Sequence, residues 1–427
     1  VGAQAAQETP DVRPDALAAA GDIRNVPGVF RTRQSGDDKR LGRFQGVRVS
    51  THVGEAAGEA AGDLLPRRQG LLCGPEGAAI VVEGQLDVIS ATRRNRNLRV
   101  TATNCGSYLI KQPTEPGAPA AETVRQEARF YTWCGRAPQA GPVRGLLPRL
   151  VHADPDRALL VLELLPDAVP LWRHYERSRP EAFPAEAAAL VGEALARLHA
   201  AFRGVDPSDD PSLGWLSSDP PWSFSLHRPR IEAPRDISAA NREMVRIMQA
   251  RPAVFRALDA LRPLWQRQTL IHGDVKMDNC LLLTDSTGAE RLVLADWELV
   301  QLGDPAWDLA GALNDFLFFW VVSMPHDRPL EKMTAEARYP LPVIQPAIRA
   351  LWRAYARSRT LPEGEAEALL GRAVRFAAVR TLQTAYEIAS HFAVMPIPSV
   401  LLMQVAINLL ADPERGRAEL FGLEAVR

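Results

Sequence analysis

The sequence predicts an α+β chain of two lobes, a small β-rich lobe followed by a larger, mainly helical one. Three observations point there. Short apolar runs rich in β-branched residues crowd between Leu71 and Leu165, the texture of strands in a half-buried sheet. Beyond Pro166 the apolar residues recur at helical spacing instead. The length, 427 residues, leaves room for two or three folded units at about 150 residues each.

The elements follow in order. Residues 1–70 hold ten of the 29 glycines, only two aromatics (Phe30 and Phe44) and the micro-repeat from Gly54 to Asp63. So little apolar surface cannot offset the entropy of ordering, and a flexible or loosely attached extension is expected there. Residues 71–165 form the first lobe. Ile80-Val81-Val82 and Leu86 to Ile89 read as one strand interrupted at Gly84, Leu98 to Thr103 as the next, Asn104-Cys105-Gly106 as a turn and Ser107 to Lys111 as the returning strand. A helix from Glu122 to Gly135 carries Val124, Ala128, Tyr131 and Thr132 near one face, and strands over Leu146–His152 and Arg157–Leu165 complete five strands and one helix.

Residues 166–427 form the second lobe. Pro184 to Phe202 places Ala188, Val191, Leu195, Leu198 and Phe202 at helix spacing, with Pro184 suited to a first turn. A Pro- and Trp-containing loop runs from Pro207 to Pro234, and Ile237 to Gln268 returns to helix. Cys280–Leu283 and Arg291–Ala295 make a hairpin, Leu309 to Met324 a buried helix, and the remaining helices are broken by Pro340, Pro342, Pro346, Pro396 and Pro398. The apolar stretch at Leu309 is interrupted by Asn314 and Asp315 and is shorter than the roughly 20 residues a bilayer requires.

Composition narrows the function. With 50 basic and 51 acidic residues the formal charge is -1, so no global field draws the chain to nucleic acid or an anionic membrane. Cys73, Cys105, Cys134 and Cys280 lack the close spacing of a zinc or redox motif. Without a signal peptide or lipidation motif in view, a cytoplasmic setting is the expectation. Only four of the basic residues are lysines, Lys39, Lys111, Lys276 and Lys332. A lysine kept in an apolar run therefore asks for a role that Arg cannot fill, such as a compact point charge.

His272-Gly273-Asp274-Val275-Lys276-Met277-Asp278-Asn279 precedes the hairpin, which ends in Asp296-Trp297-Glu298. Phosphoryl transfer needs a carboxylate to orient and deprotonate an acceptor hydroxyl, and an amide oxygen and second carboxylate to hold magnesium against the phosphates. Asp274, Asn279 and Asp296 supply these groups. The segments resemble the aminoglycoside phosphotransferase and choline kinase-like family, as do Gly303-Asp304-Pro305-Ala306-Trp307-Asp308 and Leu195-Ala196-Arg197-Leu198-His199. The resemblance, over roughly residues 75 to 400, implies a bilobal protein-kinase-like fold with ATP and Mg2+. It implies Asp274 as base and Asn279 and Asp296 as metal ligands; Lys276, two residues after the base, is read from its charge and place as an electrostatic stabiliser of the transferring group.

By the same resemblance Lys111 is the phosphate-binding lysine. Glu127 is its partner, with Glu122 as runner-up, and the strand ending at Glu163 to Leu165 is the hinge that meets the nucleotide base. His272 and Asp308 are expected to brace the loop, and His199 to sit in the core or on a helix surface. Two departures stand out: the segment Ser90 to Asn97 holds no glycine-rich phosphate loop, though Arg93, Arg94 and Arg96 lie in it, and Lys276 is a protein-kinase feature.

The acceptor bears a hydroxyl. From Arg328 to Arg427 there are 13 Arg and Lys against 10 Asp and Glu, and Arg349, Arg353, Arg357 and Arg359 share one helix, which disfavours a polycation. The motif wording also resembles phosphotransferases of ribosomal-peptide (class V lanthipeptide or thioamitide type) pathways. That implies a Ser or Thr of a precursor peptide as acceptor and a separate lyase as partner. The alternatives are an aminoglycoside or other small-molecule kinase and a pseudokinase-type peptide-binding module; the Trp-containing segments 213–216 and 221–224 are read either as lining an acceptor site or as packing.

Overall fold

The computed structural model of the protein describes residues 40–47, 84–90, 95–102, 106–114, 120–228 and 237–424. The first lobe is an antiparallel sheet with one long helix against it. Its members are β1 (Arg40–Val47), β2 (Gly84–Ser90), β3 (Asn95–Ala102), β4 (Gly106–Pro113), α1 (Ala120–Arg136), β5 (Leu150–Asp154) and β6 (Leu159–Glu163), in spatial order β1-β2-β3-β4-β6-β5. Val124, Ala128, Phe130 and Tyr131 of α1 are buried in one core with Leu160 and Leu162 of β6.

Several expectations change at the boundaries. The sequence reading gives five strands, and the sheet has six. Arg40–Val47, inside the segment expected as a loose extension, pairs with β2, Arg40 opposite Ile89 and Val47 opposite Gly84. Ile80-Val81-Val82, Arg93 and Arg94 lie outside the described residues. β3 begins three residues before Leu98, so Asn95 to Asn97 belong to the ladder, with Asn97 opposite Lys111. The strand expected from Leu146 starts at Leu150 instead, because Pro138–Leu146 winds as a 3-10 run with Pro138 in its first turn.

The second lobe contains β7 (Val169–Pro170), α2 (Leu171–Arg177), α3 (Ala185–Ala201), α4 (Ala239–Gln249), α5 (Pro252–Leu261), β8 (Thr269–Ile271), β9 (Cys280–Thr284), β10 (Glu290–Leu294) and β11 (Gln301–Gly303). Then come α6 (Pro305–Val322), α7 (Leu330–Ala335), α8 (Leu341–Arg359), α9 (Glu363–Ala389), α10 (Ile397–Ala411) and α11 (Pro413–Glu419). The helix expected over Ile237–Gln268 is two helices. Pro252, lacking an N–H and crowding the preceding turn, cannot continue α4 but opens α5. Pro346 does not break α8. It sits in the second turn, where its missing N–H and its crowding of the Pro342 carbonyl weaken the helix without ending it, and Pro342 and Pro398 stand in first turns.

Three helix pairs dominate the packing of the lobe. α8 packs on α3, where Gly192 permits the approach: a Cβ there would lie 2.1 Å from the Leu351 carbonyl oxygen. α9 packs on α6 and α10. α6 is buried on nearly all sides, as a helix apolar all round must be. Among the described residues no helix is long and apolar enough to cross a membrane, and Cys134 and Cys280 are free and buried. The result is the bilobal, protein-kinase-like arrangement that the motifs imply.

Candidate active site

The segment from His272 to Asn279 links β8 to β9, and the 2–3 residues around Gly273 set its path. Gly273 has φ +81°, and a Cβ would lie 2.1 Å from the Leu299 carbonyl oxygen, so only glycine turns the chain this close to the Asp296 side. Asp308, in the first turn of α6, holds the turn from below. Its carboxylate accepts from the backbone N–H of His272 (2.8 Å) and Gly273 (2.9 Å), and from His199 Nε2 of α3 (3.1 Å). Burial pushes this carboxyl up, but the hydrogen bonds from His199 and from the His272 backbone outweigh it and hold it below the usual range. Because a carboxylate only accepts, His199 donates through Nε2 and takes the Tyr355 hydroxyl at Nδ1 (2.9 Å).

His272 is fully buried between the two halves of the site. Its Nε2 donates to the Ala295 carbonyl (3.0 Å), so Nδ1 is free to accept the Asp274 N–H at 3.3 Å. Burial pulls the imidazole pKa down, with Asp308 opposing, which agrees with this neutral tautomer. The loop thus reaches the hairpin end at its first residue.

Asp274 has both carboxylate oxygens engaged. Oδ2 accepts from Lys276 Nζ at 2.5 Å and from Asn279 Nδ2 at 3.3 Å, while Oδ1 accepts from Arg380 of α9 at 3.2 Å. Burial pushes this carboxyl up, yet the Lys276 ammonium and the Arg380 guanidinium hold it well below the carboxylate range. Asn279 also gives Nδ2 to the Asp274 carbonyl (2.9 Å), which turns its amide oxygen the other way. Under the loop, Asp315 of α6 accepts the Met277 N–H, and burial pushes its carboxyl up to about 7.

The second half of the site is built on Lys111. Its Nζ lies 2.7 Å from Glu127 Oε2 and 2.6 Å from Asp296 Oδ1. Burial pulls the ammonium pKa down, and the two carboxylates raise it above the ordinary lysine value. Asp296 adopts φ +68°, a left-handed conformation that Asp tolerates at a cost of about 1 kcal/mol. Its neighbours fix it: Ala295 N–H donates to Asn279 O (2.9 Å) and Trp297 N–H to Glu127 Oε1 (3.1 Å). α1 adds Gln126 on the Val300 carbonyl and Phe130 stacked on Trp297, centroids 4.5 Å apart. Asn95, opening β3, donates to Glu298 Oε2 at 3.4 Å. The Trp and Glu after Asp296 are therefore the handles by which the first lobe holds it.

The structure brings Lys111, Glu127, Asp274, Lys276, Asn279 and Asp296 together, with His272 and Asp308 beneath them. Glu122, the runner-up to Glu127, pairs instead with Arg125 and Arg129 at the surface. Glu163 stands on β6 opposite Tyr108, and its carboxylate takes the Arg149 N–H at 2.9 Å and lies 3.5 Å from Arg149 Nε. Leu165 follows it in the connection to β7, half-buried. Arg380, Trp307 and Asp315 were not legible as site residues. Trp307 Nε1 donates to the Gly273 carbonyl at 3.0 Å, and Arg380 lies over its ring. None of these contacts is local in sequence, so no spacing announces them. Phe224 packs with Trp265, Trp307 and Phe376, whereas Trp222 is exposed beside Tyr386.

A magnesium ion held by protein alone would need more ligands than this. Among the described residues no cluster of three or more His, Cys, Asp or Glu could hold a metal. One carboxylate and one amide oxygen suit magnesium, which keeps waters and shares substrate phosphates, and Asp296 and Asn279 have the chemistry of such a donor set.

Comparison with known proteins places the chain. The profile of the phosphotransferase enzyme family matches residues 86–328. A mouse acyl-CoA dehydrogenase family member 10 is 48% identical over 48 residues, 11% of this chain and 4% of that protein, so the match spans only a small part of that relative. Among solved structures, the chain is similar to an ethanolamine kinase of Plasmodium vivax at 11% identity and TM-score 0.46, covering 75% of this chain and 81% of that one. It is similar to a choline/ethanolamine kinase family protein of Mesorhizobium loti at 20% and 0.42, covering 78% and 90%. An aminoglycoside 2'-phosphotransferase-IIIa matches at 11% and 0.47, covering 75% and 92%. The family profile spans more than half of the chain and includes every motif from β2 to α6, and the protein belongs to the phosphotransferase enzyme family.

Proposed function

We propose that the protein transfers the γ-phosphoryl group of ATP to a hydroxyl of a small molecule, with Asp274 as the base. The observation that carries this reading is the convergence in one cluster of Lys111, held between Glu127 and Asp296, and Asp274, held beside Lys276 and Asn279. The acceptor oxygen bonds to the γ-phosphorus as the bond to the β,γ-bridging oxygen breaks. The hydroxyl proton goes to Asp274, and ADP leaves with the bridging oxygen. Lys111 meets the nucleotide phosphates, and Glu127 keeps its ammonium pointed there. Lys276, which lies between Asp274 and Asp296 and stays protonated through their charge, neutralises charge on the transferring group. Asp296 and Asn279 hold magnesium, which when bound neutralises phosphate charge. The backbone near Glu163 and Leu165 borders the nucleotide base.

A Ser or Thr hydroxyl of a precursor peptide, phosphorylated ahead of a separate lyase, is the second reading. It rests on the wording of the His272 to Asn279, Asp296-Trp297-Glu298 and Gly303 to Asp308 motifs. The arginine-bearing helix gives it less support than the sequence suggests. Arg353 and Arg357 are exposed on α8, which packs on α3, and Arg357 lies 3.7 Å from Glu193 of that helix. The arginine beside Asp274 comes from α9. Mass spectrometry of products from Mg-ATP with choline, ethanolamine, kanamycin-type aminoglycosides and Ser/Thr peptides tests both readings. Phosphorylation of a small alcohol supports the first and of a peptide alone the second, and no phosphoryl transfer by the folded chain overturns both.

A further inference from the structure

Arg380 presents an unusual combination. It is a charged side chain buried in the middle of α9, with 5% of its surface exposed. Of its five N–H donors, one reaches Asp274 Oδ1 at 3.2 Å and one Gln383 Oε1 at 3.4 Å, while Nε is buried without a partner. An unsatisfied buried donor costs about 1–3 kcal/mol, and buried ion pairs contribute little to stability compared with well-packed apolar residues. A side chain so poorly rewarded as packing is better explained by what it holds.

Its surroundings show what that is. The guanidinium lies 5.2 Å from the centre of the Trp307 ring, and Trp307 Nε1 donates to the Gly273 carbonyl. One side of the catalytic loop is thus gripped twice from the helices: at the Gly273 carbonyl by α6, and at the Asp274 carboxylate by α9. Lys276 and Asn279 take the other oxygen from within the loop. Without Arg380 the carboxylate keeps those partners but is free to turn about its own bond to them, because both act on Oδ2. Among the described residues, Arg380 is the only side chain outside the loop that donates to that carboxylate. The same face of α9 carries Gln383 and Glu387 one and two turns on, joined at 2.9 Å. This polar stripe leads away from Asp274.

We infer that Arg380 is the positioning residue of Asp274: from α9 it fixes Oδ1, and so the plane of the carboxylate that receives the acceptor proton. This rests on the proposed role of Asp274. Misplacing a catalytic group by an ångström costs on the order of 100-fold, so Arg380→Met, which keeps length and packing, is expected to lower kcat about 10- to 100-fold. The KM for Mg-ATP and the thermal midpoint should stay near wild type. Arg380→Lys, with one donor and the charge retained, should recover part of the loss.

The deciding measurement is a double-mutant cycle with Asp274→Asn, using the acceptor the panel selects and, in parallel, water as acceptor in Mg-ATP hydrolysis. If Arg380 acts through Asp274, the double variant is no slower than Asp274→Asn alone. The same fold-loss in both backgrounds, an unchanged kcat in Arg380→Met, or a loss that only tracks the folded fraction would each overturn the inference. Wild-type rate in Asp274→Asn overturns instead the role of Asp274, and the inference with it. Failure of the wild-type chain to transfer to any acceptor, water included, does the same.

Discussion

The two halves of the site are charge inverses of each other. On the first-lobe side one cation, Lys111, sits between two carboxylates, Glu127 and Asp296. On the second-lobe side one carboxylate, Asp274, sits between two cations, Lys276 and Arg380. Each half alone carries an uncompensated unit charge in a buried place, and the nearness of the two lets them balance. The difference also sorts their tasks. A surplus carboxylate next to a lysine suits a metal and a polyphosphate, which need both signs. A surplus cation beside a base suits a step in which negative charge is passed across.

The sharpest way to break this comparison is to neutralise its second half. Asp274→Asn keeps the shape, but the amide accepts no proton and leaves Lys276 and Arg380 facing each other without an anion. Transfer should fall about 10²- to 10⁴-fold, while Mg-ATP affinity, measured by titration calorimetry, stays within a few-fold because Lys111, Asn279 and Asp296 remain. Equal losses in affinity and rate would show that the halves do not divide their tasks.

The mirror experiment is Lys111→Met. It leaves Glu127 and Asp296 as two carboxylates with no cation between them, and removing one member of a buried pair costs about 3–5 kcal/mol. A lower unfolding midpoint and a 10²- to 10³-fold loss of productive transfer are expected together. Glu127→Gln should be milder, since Asp296 still holds the lysine. A Lys111→Met chain with wild-type stability and rate would remove the first half from the site.

What the sequence reveals follows the same division. Asp274, Lys276 and Asn279 lie within six residues, and Asp296 lies just past the hairpin, so their spacing is written along the chain. Lys111 and Glu127 are legible because one strand and one helix place them, and lysine is scarce. Arg380 is invisible because α9 meets the loop only through tertiary packing. His199 shows as a helix-face residue, but its bond to Asp308 needs α3 and α6 side by side. In the fold, the helical stripe of α3 was readable from period alone. Pro252 and Pro346 were not: a proline opens one helix and is carried within another, depending on how near the N-terminus it falls.

A third carboxyl, Asp315, tests whether the balance extends below the loop. Its pKa is pushed up to about 7 by burial, against the Met277 N–H that favours the ionised form, whereas an unfolded aspartate titrates near 3.9. The fold therefore retains a proton that the unfolded chain loses. The associated stability is complete below about pH 4 and is lost as pH rises to about 7. Asp315→Asn removes that dependence. Relative to wild type the variant should gain on the order of 4 kcal/mol between pH 4 and pH 7 and no more above, read from urea unfolding at a series of pH values. A gap that is constant with pH would mean Asp315 is ionised throughout.

The smallest expected effect lies farthest from the two clusters. Arg353 and Arg357 are exposed on α8, on the side of the lobe that packs on α3. Arg357 reaches Glu193 only at 3.7 Å, with 77% of its side chain in solvent. An exposed pair of this kind contributes about 0–1 kcal/mol and weakens further with salt. Arg353→Glu with Arg357→Glu should therefore change the unfolding free energy by less than about 1 kcal/mol, since one like-charged i, i+4 pair replaces another. Transfer to a small-molecule acceptor should stay within twofold at any ionic strength. Peptide acceptors make the contrast informative. If a Ser or Thr peptide is turned over, and the double change weakens its binding in a salt-dependent way, the acceptor surface runs from Asp274 around the lobe to α8. If peptide turnover is also unmoved, specificity is set on the α9 side, beside Arg380, Gln383 and Glu387.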